Sequence, residues 1–541
     1  MKNNFLSVIL FLIVLLGFKT RIQQLDFPSI GYHNMKENEY ISIARNIEKS
    51  GDYIHRYVDF YHAFDRDFKG ETFDLYPQIP FVSYQVVLGD MLFGRNLWFP
   101  RLINILLFMS AVVMACVITK KITGSSLIGL ASAAVLSFLP LGVLFSRNLQ
   151  PESGALFFAL LTTWFIFKYL DGFRLKYLAA AGIGFAMVTA YKLSFLFILM
   201  PLLFIFPYPE YYRNKKVTRV LLDCSIFLLP LCLLMIFWAV AGQVNIRPSL
   251  DGRTDLLAIF KIDYWTRCGP TIWRYAVFEN YGYVLFWASV AGVALAWLDF
   301  NVKTLFAGYL RACSIVLLLY FMVFNDYLNQ HSYYQFPFLF FMSSSIIYFC
   351  LFISRRLFAR SVEAYQKTIF VGIVSLILAF SYATAVRTVG AAFSFNSFGS
   401  DVAGEYIKAH TNEADKFAAI VYYQGYGLCI YAERKCGFVD DIVRFKEIEN
   451  REHLKYAAIL PFGFERSINP ELLDYIYSSY SIDYLGFIPE DGRWVPQLMI
   501  LKKGGKVDFA GFIKSHDQPK IVKTYHTVNG NVPFAVLENK F

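Results

Sequence analysis

Apolar residues in this chain fall in long runs rather than in the narrow stripes of soluble helices or strands. Val220 to Ala241 carries one charge, Asp223, near its start, and Ser125 to Phe145 carries none. A bilayer core about 30 Å thick needs roughly 20 apolar residues at helical rise. Both runs meet that need. Similar runs at 4–18, 102–119, 124–145, 154–170, 177–191, 193–207, 220–241, 282–298, 304–324, 336–353 and 368–388 predict about eleven transmembrane helices. The first is short enough to be a signal-peptide core, but Gly17-Phe18-Lys19-Thr20-Arg21 offers no small-x-small cleavage site. An uncleaved helix is expected.

Runs five and six are separated only by Lys192, so they can also be read as one tilted helix. Charge arbitrates. With the N-terminus inside and eleven spans, the inside loops and their edges hold Lys120, Lys121, Lys168, Arg174, Lys176, Arg213, Lys215, Lys216, Arg219, Lys303, Arg355, Arg356, Arg360 and Lys367. The short outside connections hold Arg147 and Lys192. Cytoplasmic loops carry the excess of Lys and Arg, and merging runs five and six would send Arg213–Arg219 to the wrong side. Arg311, inside the ninth run, leaves that boundary the least defined.

This topology predicts a polytopic α-helical domain over 1–394, with a large first outside loop at 19–98 and a second outside segment at 242–281. An extracytoplasmic domain follows over 395–541. In the first loop, Glu39 to Ile47 reads as a helix ended by Ser50-Gly51-Asp52, and Ile79 to Phe93 as an interfacial or re-entrant segment. The tail alternates strand-like runs (Phe417–Tyr423, Ala457–Pro461, Tyr484–Ile488) with helical ones (Ser400–His410, Pro470–Tyr480), a rhythm that predicts a small α/β domain.

Composition agrees with the membrane reading: 56% of the 541 residues are hydrophobic and 17% charged, too few charges for a soluble surface of this size. The net charge of +10 sits in the connections between apolar runs, which argues against nucleic-acid binding. Of eight cysteines, Cys116, Cys224, Cys232, Cys313 and Cys350 lie inside apolar runs and Cys268, Cys429 and Cys436 outside them, with no paired metal spacing. Cys429 and Cys436 flank Ile430 to Lys435, read as a hairpin. On this topology they occupy an oxidising compartment, where a bridge and two free core thiols are both open readings.

Polar groups gather at the outside ends of the spans. They form four clusters: His33 to Tyr40, Tyr76 to Pro80, Ser146 to Glu152, and Asn325 to Tyr334, with Lys192 between runs five and six. Singly each has a plain explanation: a first-turn acid on the helix dipole, interfacial anchoring of a histidine beside tyrosines, or a snorkelling lysine. Jointly they place acids, cations and two histidines on one face of an apolar bundle, and ionisable groups there are functional candidates. Glu152 is expected to face the bundle's cavity rather than lipid.

Several of these stretches resemble the GT-C glycosyltransferases, specifically the family-39-like enzymes related to protein O-mannosyltransferases and the lipid A aminoarabinose transferase. Tyr40-x-x-x-Ala44-Arg45-Asn46-x-x-x-x-Gly51-Asp52-Tyr53 is similar to the helix after the family's first acidic motif. Pro80 through Leu92-Phe93-Gly94, then Arg101-Leu102, resembles its juxtamembrane helix and following Arg-Leu. Arg147-x-x-x-Pro151-Glu152 resembles the second acidic motif, Tyr191-Lys192 the hairpin lysine, and His331-x-Tyr333-Tyr334 the late His-x-Tyr-Tyr. The resemblance covers about residues 1–390. It departs from the pattern at Lys36, which stands where the family usually has Asp, with Glu37 at the following Glu; His33 to Glu37 is similar to a variant subgroup.

The resemblance implies sugar transfer, with inversion, from a polyprenyl-phosphate donor in the cell membrane to an acceptor hydroxyl of a lipid, glycan or protein on the extracytoplasmic side. It implies catalytic Glu37 and Glu152, donor-phosphate contacts from Lys36, Arg101, Lys192 and His331, and substrate contacts from His33, Glu39, Tyr40, Gln78, Tyr333 and Tyr334. Glu37 stands as the candidate general base, since Lys36 is a cation. The segment 33–38 need not be helical, which leaves its aim open. A divalent cation can share the phosphate role, although the sequence has no decisive ligand set. Two other classes stay open: a transporter or flippase of lipid-linked sugars, disfavoured by the absence of repeat halves, and a degenerate glycan-binding relative.

Overall fold

The computed structural model describes residues 2–54, 58, 79–213, 216–240, 255–298, 304–357, 362–394, 396–421, 425–460 and 468–539. In chain order the membrane part runs α1 (Lys2–Lys19), α2 (Asn34–Ser50), α3 (Phe81–Phe93), α4 (Trp98–Thr123), α5 (Ser126–Phe138), α6 (Pro140–Phe145), α7 (Glu152–Leu170) and α8 (Leu175–Tyr191). It continues with α9 (Pro201–Ile205), α10 (Tyr208–Arg213), α11 (Val217–Val240), α12 (Ile262–Trp273), α13 (Tyr283–Leu298), α14 (Leu305–Gln330), α15 (Leu339–Leu357) and α16 (Glu363–Ala392). The tail follows as α17 (Ser400–His410), β1 (Lys416–Val421), α18 (Tyr426–Ala432), β2 (Lys435–Phe438), α19 (Ile442–Glu452), β3 (Tyr456–Leu460), α20 (Pro470–Ser479), β4 (Tyr480–Glu490), β5 (Arg493–Lys503), α21 (Phe509–Ser515), β6 (Lys520–Thr527) and β7 (Gly530–Glu538).

Each apolar run of the sequence contains helix. Among the described residues α4, α7, α11, α14, Ser332–Arg356 and α16 are long and apolar enough to cross a bilayer, and Ile262–Asn280 with Tyr283–Leu298, bent by 106°, makes a further candidate. Phe5–Lys19, Phe81–Phe93, Ser126–Phe138, Leu175–Tyr191 and Leu193–Ile205 are shorter apolar helices. The chain is thus a polytopic α-helical membrane protein with a small α/β domain at its end.

Some runs differ in detail from straight spans. The run 124–145 breaks at Leu139, whose extended backbone (φ −61°, ψ 127°) precedes Pro140, since proline disfavours a helical residue before it. The run 193–207 opens as a 3-10 helix, Leu193–Ile198, before α9 starts at Pro201. Small residues let spans approach closely: a Cβ added at Gly292 of α13 would overlap the Ser345 carbonyl of α15.

The chain divides into two compact units. The first comprises Met1–Gln23, Tyr76–Phe81 and Arg101–Val389; the second comprises Gln24–Leu75, Val82–Pro100 and Gly390–Phe541. In the second, α2 ends where Gly51 adopts φ 67° and returns its N–H to Ile47 O, the left-handed cap glycine accepts without a Cβ penalty.

The tail's sheet has the order β2-β1-β3-β5-β4-β7-β6. β2, β1 and β3 run parallel, linked through α18 and α19, and the remaining pairs are antiparallel. Phe445, Ile448, Leu472 and Ile476 of α19 and α20 pack on Leu485, Met499 and Leu501 of the sheet. Asp441, Asn469 and Asp508 cap the following helices by accepting backbone N–H bonds.

The expected hairpin over 430–435 is absent. Residues 426–432 instead form α18, stopped by Glu433 in the left-handed region (φ 49°), and β2 pairs in parallel with β1. Cys429 and Cys436 are disulfide-bonded across that turn, with Cα atoms 5.6 Å apart.

Candidate functional site

In the first unit, α7 opens with Glu152, which is 1% exposed and lies in the bundle rather than on its lipid face. Its Oε1 accepts a 2.5 Å bond from Lys192 Nζ. Lys192 caps the C-terminus of α8 in extended backbone (φ −165°), so its side chain leaves the helix axis and turns inward. The ammonium also lies 4.8 Å from the ring centroids of both Tyr333 and Tyr334, where the ring faces attract a cation. Glu152 Oε2 has no hydrogen-bond partner among the described residues.

The aromatic side of this cluster is built by the segment after α14. His331 ends that helix in extended backbone; its ring stacks on Tyr333 at 5.0 Å, and Tyr333 on Tyr334 at 5.4 Å. Distant side chains hold the segment by its carbonyls. Asn280 Nδ2 donates to Ser332 O (3.0 Å), Tyr320 Oη to Tyr334 O (2.8 Å), and Tyr281 Oη to Gln335 O (2.9 Å). Bonding at three points fixes the pitch of the rings that face Lys192.

Arg101 is buried near the start of α4. Arg147, also buried, donates to Gln23 O. Arg21 is fully buried. Its Nε donates to Ser146 Oγ at 2.7 Å, Nη1 to Gly17 O at 2.7 Å and Nη2 to Ser137 O at 2.8 Å, and its guanidinium lies 4.7 Å over the Phe108 ring. It ties the end of α1 to the approach to the Arg147–Glu152 motif. In the sequence Arg21 stands out only as the end of the Gly17–Arg21 stretch after the first apolar run.

The second unit holds the other candidates. Residues 34–38 are helical, the first turn of α2, and His33 precedes them in the left-handed region (φ 57°) with its ring edge-on to Tyr32. Helical spacing sends neighbouring side chains to different sectors. Lys36 Nζ accordingly pairs with Glu39 Oε2 at 2.8 Å, while Glu37 Oε2, buried, accepts from Ser29 Oγ at 2.7 Å. Tyr40 contributes its carbonyl to Ser83 Oγ at 2.9 Å. Burial, and behind it the Glu39 carboxylate, raises the Tyr426 phenol above its ordinary pKa, which puts a tail tyrosine in the electrostatic neighbourhood of this segment.

Gln78, with the rest of 76–78, lies outside the described residues. No set of three His, Cys, Asp or Glu placed to hold a metal occurs among the described residues.

Residues 77–238, the stretch carrying Arg101, Glu152 and Lys192, match the family described as dolichyl-phosphate-mannose-protein mannosyltransferase. No curated protein sequence matches. Solved structures similar in fold include ArnT from Cupriavidus metallidurans bound to undecaprenyl phosphate, at 13% identity and TM-score 0.53, covering 93% of this chain and 98% of that one, and the same protein in the apo state, at 12% identity and TM-score 0.55, covering 92% and 98%. Both relationships read from the sequence motifs therefore reappear in independent comparisons. The chain has the GT-C fold, and its segment 77–238 matches the mannosyltransferase family description.

Proposed function

We propose that the chain is a membrane glycosyltransferase that moves a sugar from a polyprenyl-phosphate carrier to an acceptor hydroxyl on the extracytoplasmic face, with inversion. The observation that carries this reading is the Glu152–Lys192 pair, its carboxylate buried, facing the Tyr333–Tyr334 rings. A phosphate leaving group needs a cation held in place before the bond breaks, and a preorganised one costs no reorganisation at that moment. Undecaprenyl phosphate bound to the Cupriavidus protein of like fold supports a polyprenyl phosphate as carrier. Nucleotide sugars are cytoplasmic and do not suit this face.

In the reaction the acceptor oxygen attacks the anomeric carbon and loses its proton to a carboxylate, Glu37 in our assignment. The bond from the anomeric carbon to the phosphate oxygen breaks, and its electron pair stays on the phosphate. Lys192, with Arg101, His331 and Lys36, offsets that growing charge. Glu152 orients Lys192 and is the reserve base. The acceptor is a lipid, glycan or protein hydroxyl.

Purified protein in nanodiscs, given a synthetic polyprenyl-phosphate sugar and a mixture of acceptor classes, should release carrier phosphate in step with glycosylated product. Binding of the carrier without release would favour the degenerate glycan binder. Passage of the intact lipid-linked sugar across vesicles, without cleavage, would favour the flippase.

A further inference from the structure

Helix α18 of the tail reaches the segment that carries Glu37 through one buried serine. Tyr431 Oη accepts a hydrogen bond from Ser29 N at 3.2 Å. Ser29 O accepts from Asn38 Nδ2 at 3.0 Å, and Ser29 Oγ donates to Glu37 Oε2 at 2.7 Å. All three polar groups of Ser29 are thus committed, one to the tail and two to the first turn of α2. The approach requires Gly427: a Cβ there would meet Ser29 O at 2.9 Å and Ile30 Cγ2 at 3.0 Å. α18 is also pressed against α17, where a Cβ on Gly404 would meet Ala432 N and Tyr431 Cβ at 2.7 Å each.

α18 is also anchored along its length. Cys429 is bonded to Cys436 of β2. The Arg45 guanidinium donates to Ile430 O and lies 5.9 Å over the Tyr431 ring. Glu433, just past the helix, pairs with Arg95 and with Lys408, the latter at 3.0 Å. A surface packing helix would not need this many directional ties converging on α18 and the residue that follows it. A helix that must hold one hydroxyl at a fixed place would.

We propose that Tyr431 is a positioning residue for Glu37, acting through Ser29, and that the Cys429–Cys436 bridge keeps α18 in the pose this requires. The tail thereby takes part in the reaction without touching substrate. The catalytic consequence rests on the glycosyl-transfer reading above; the mechanical link does not.

Two readouts on the full-length protein in nanodiscs separate these. Hydrogen exchange of the peptide spanning 29–40 is compared in wild type, Tyr431→Phe and the double variant Cys429→Ser/Cys436→Ser, with Tyr475→Phe as a control elsewhere in the tail. Loss of one hydrogen bond should speed exchange in that peptide by about two- to tenfold in Tyr431→Phe and the double variant, and not in the control. In the transfer assay kcat should fall by roughly three- to tenfold with KM for the polyprenyl-phosphate donor unchanged. A merely structural tyrosine would lower the melting temperature and leave both exchange in 29–40 and kcat per folded enzyme as in wild type, which would overturn the proposal. If wild type transfers no sugar, the functional reading falls and exchange alone judges the link: equal rates in all variants would refute it.

Discussion

Lys192 Nζ lies 2.5 Å from Glu152 Oε1, joining the C-terminal cap of α8 to the first residue of α7 beside the Tyr333 and Tyr334 rings. With the Glu152 side chain 1% and the Lys192 side chain 12% exposed, the pair is largely shielded from water. Removing one partner of a buried pair typically costs about 3–5 kcal/mol. Glu152→Ala and Lys192→Ala should each lower the melting temperature in detergent, and Lys192→Ala should also weaken polyprenyl-phosphate binding. The double variant should lose less than the sum, with a coupling of about 1–3 kcal/mol. Strict additivity in that cycle would show that the pair is not coupled.

Glu37→Gln should retain donor binding and lose about 10²- to 10⁴-fold in turnover, the range expected when a general base is removed. The amide can still accept from Ser29, so the fold around the Ser29–Glu37 bond is kept. Near-normal turnover in Glu37→Gln, together with loss in Glu152→Gln, would move the base to the second acidic motif.

Gly154 sits two residues beyond Glu152, and a Cβ there would overlap the ring of Tyr191, the neighbour of Lys192. Tyr191 is itself stacked on Phe81 at 4.6 Å and Phe158 at 5.7 Å, so it has little room to yield. Gly154→Ala should cost about 1–3 kcal/mol by overpacking and should reduce turnover by shifting the α8 cap. Thermal melting and turnover measured on the same preparation check both; wild-type values for each would mean that the ring yields freely.

The tail should be sensitive to alkali. Burial, then the bond to Glu449, pushes the Tyr475 phenol up to about 12, and burial, then the charge of Asp483, does the same to Tyr456. The folded state therefore holds these protons more tightly than the unfolded chain, whose phenols titrate near 10. The resulting stability is intact below about pH 10 and is lost as pH rises towards 12. Melting temperature should fall over that window, and Tyr475→Phe should make the fall shallower. A flat profile from pH 9 to 12 would contradict the assignment.

The orientation proposed from the charge bias puts the tail outside the cytoplasm. A reporter that matures only in the cytoplasm, fused to the C-terminus, should give no signal, and one that works only beyond the membrane should be active. The reverse pair of signals would invert the topology and remove the phosphate-carrier argument.

The apolar helices and the order of the chemical motifs were legible in the chain itself, because an apolar helix in a bilayer satisfies its hydrogen bonds locally and needs only length and composition to declare itself. The same locality made the tail's α/β alternation visible and placed Glu152, Lys192 and His331 as candidates. What tertiary structure alone decided were pairings between residues far apart in sequence. Glu152 takes Lys192 as its partner across 40 residues; Arg21, in sequence only the end of the stretch after the first apolar run, is buried and bonded to Ser146 across 125; Ser29 meets Tyr431 across 402. Residues 430–435 resembled a hairpin because a two-cysteine loop looks alike in either state. The left-handed turn at Glu433 and the parallel pairing of β2 with β1 settle it as a helix followed by a strand. Such contacts depend on which faces pack, and on where a glycine lets two backbones meet, and neither is written in the local pattern of any one segment.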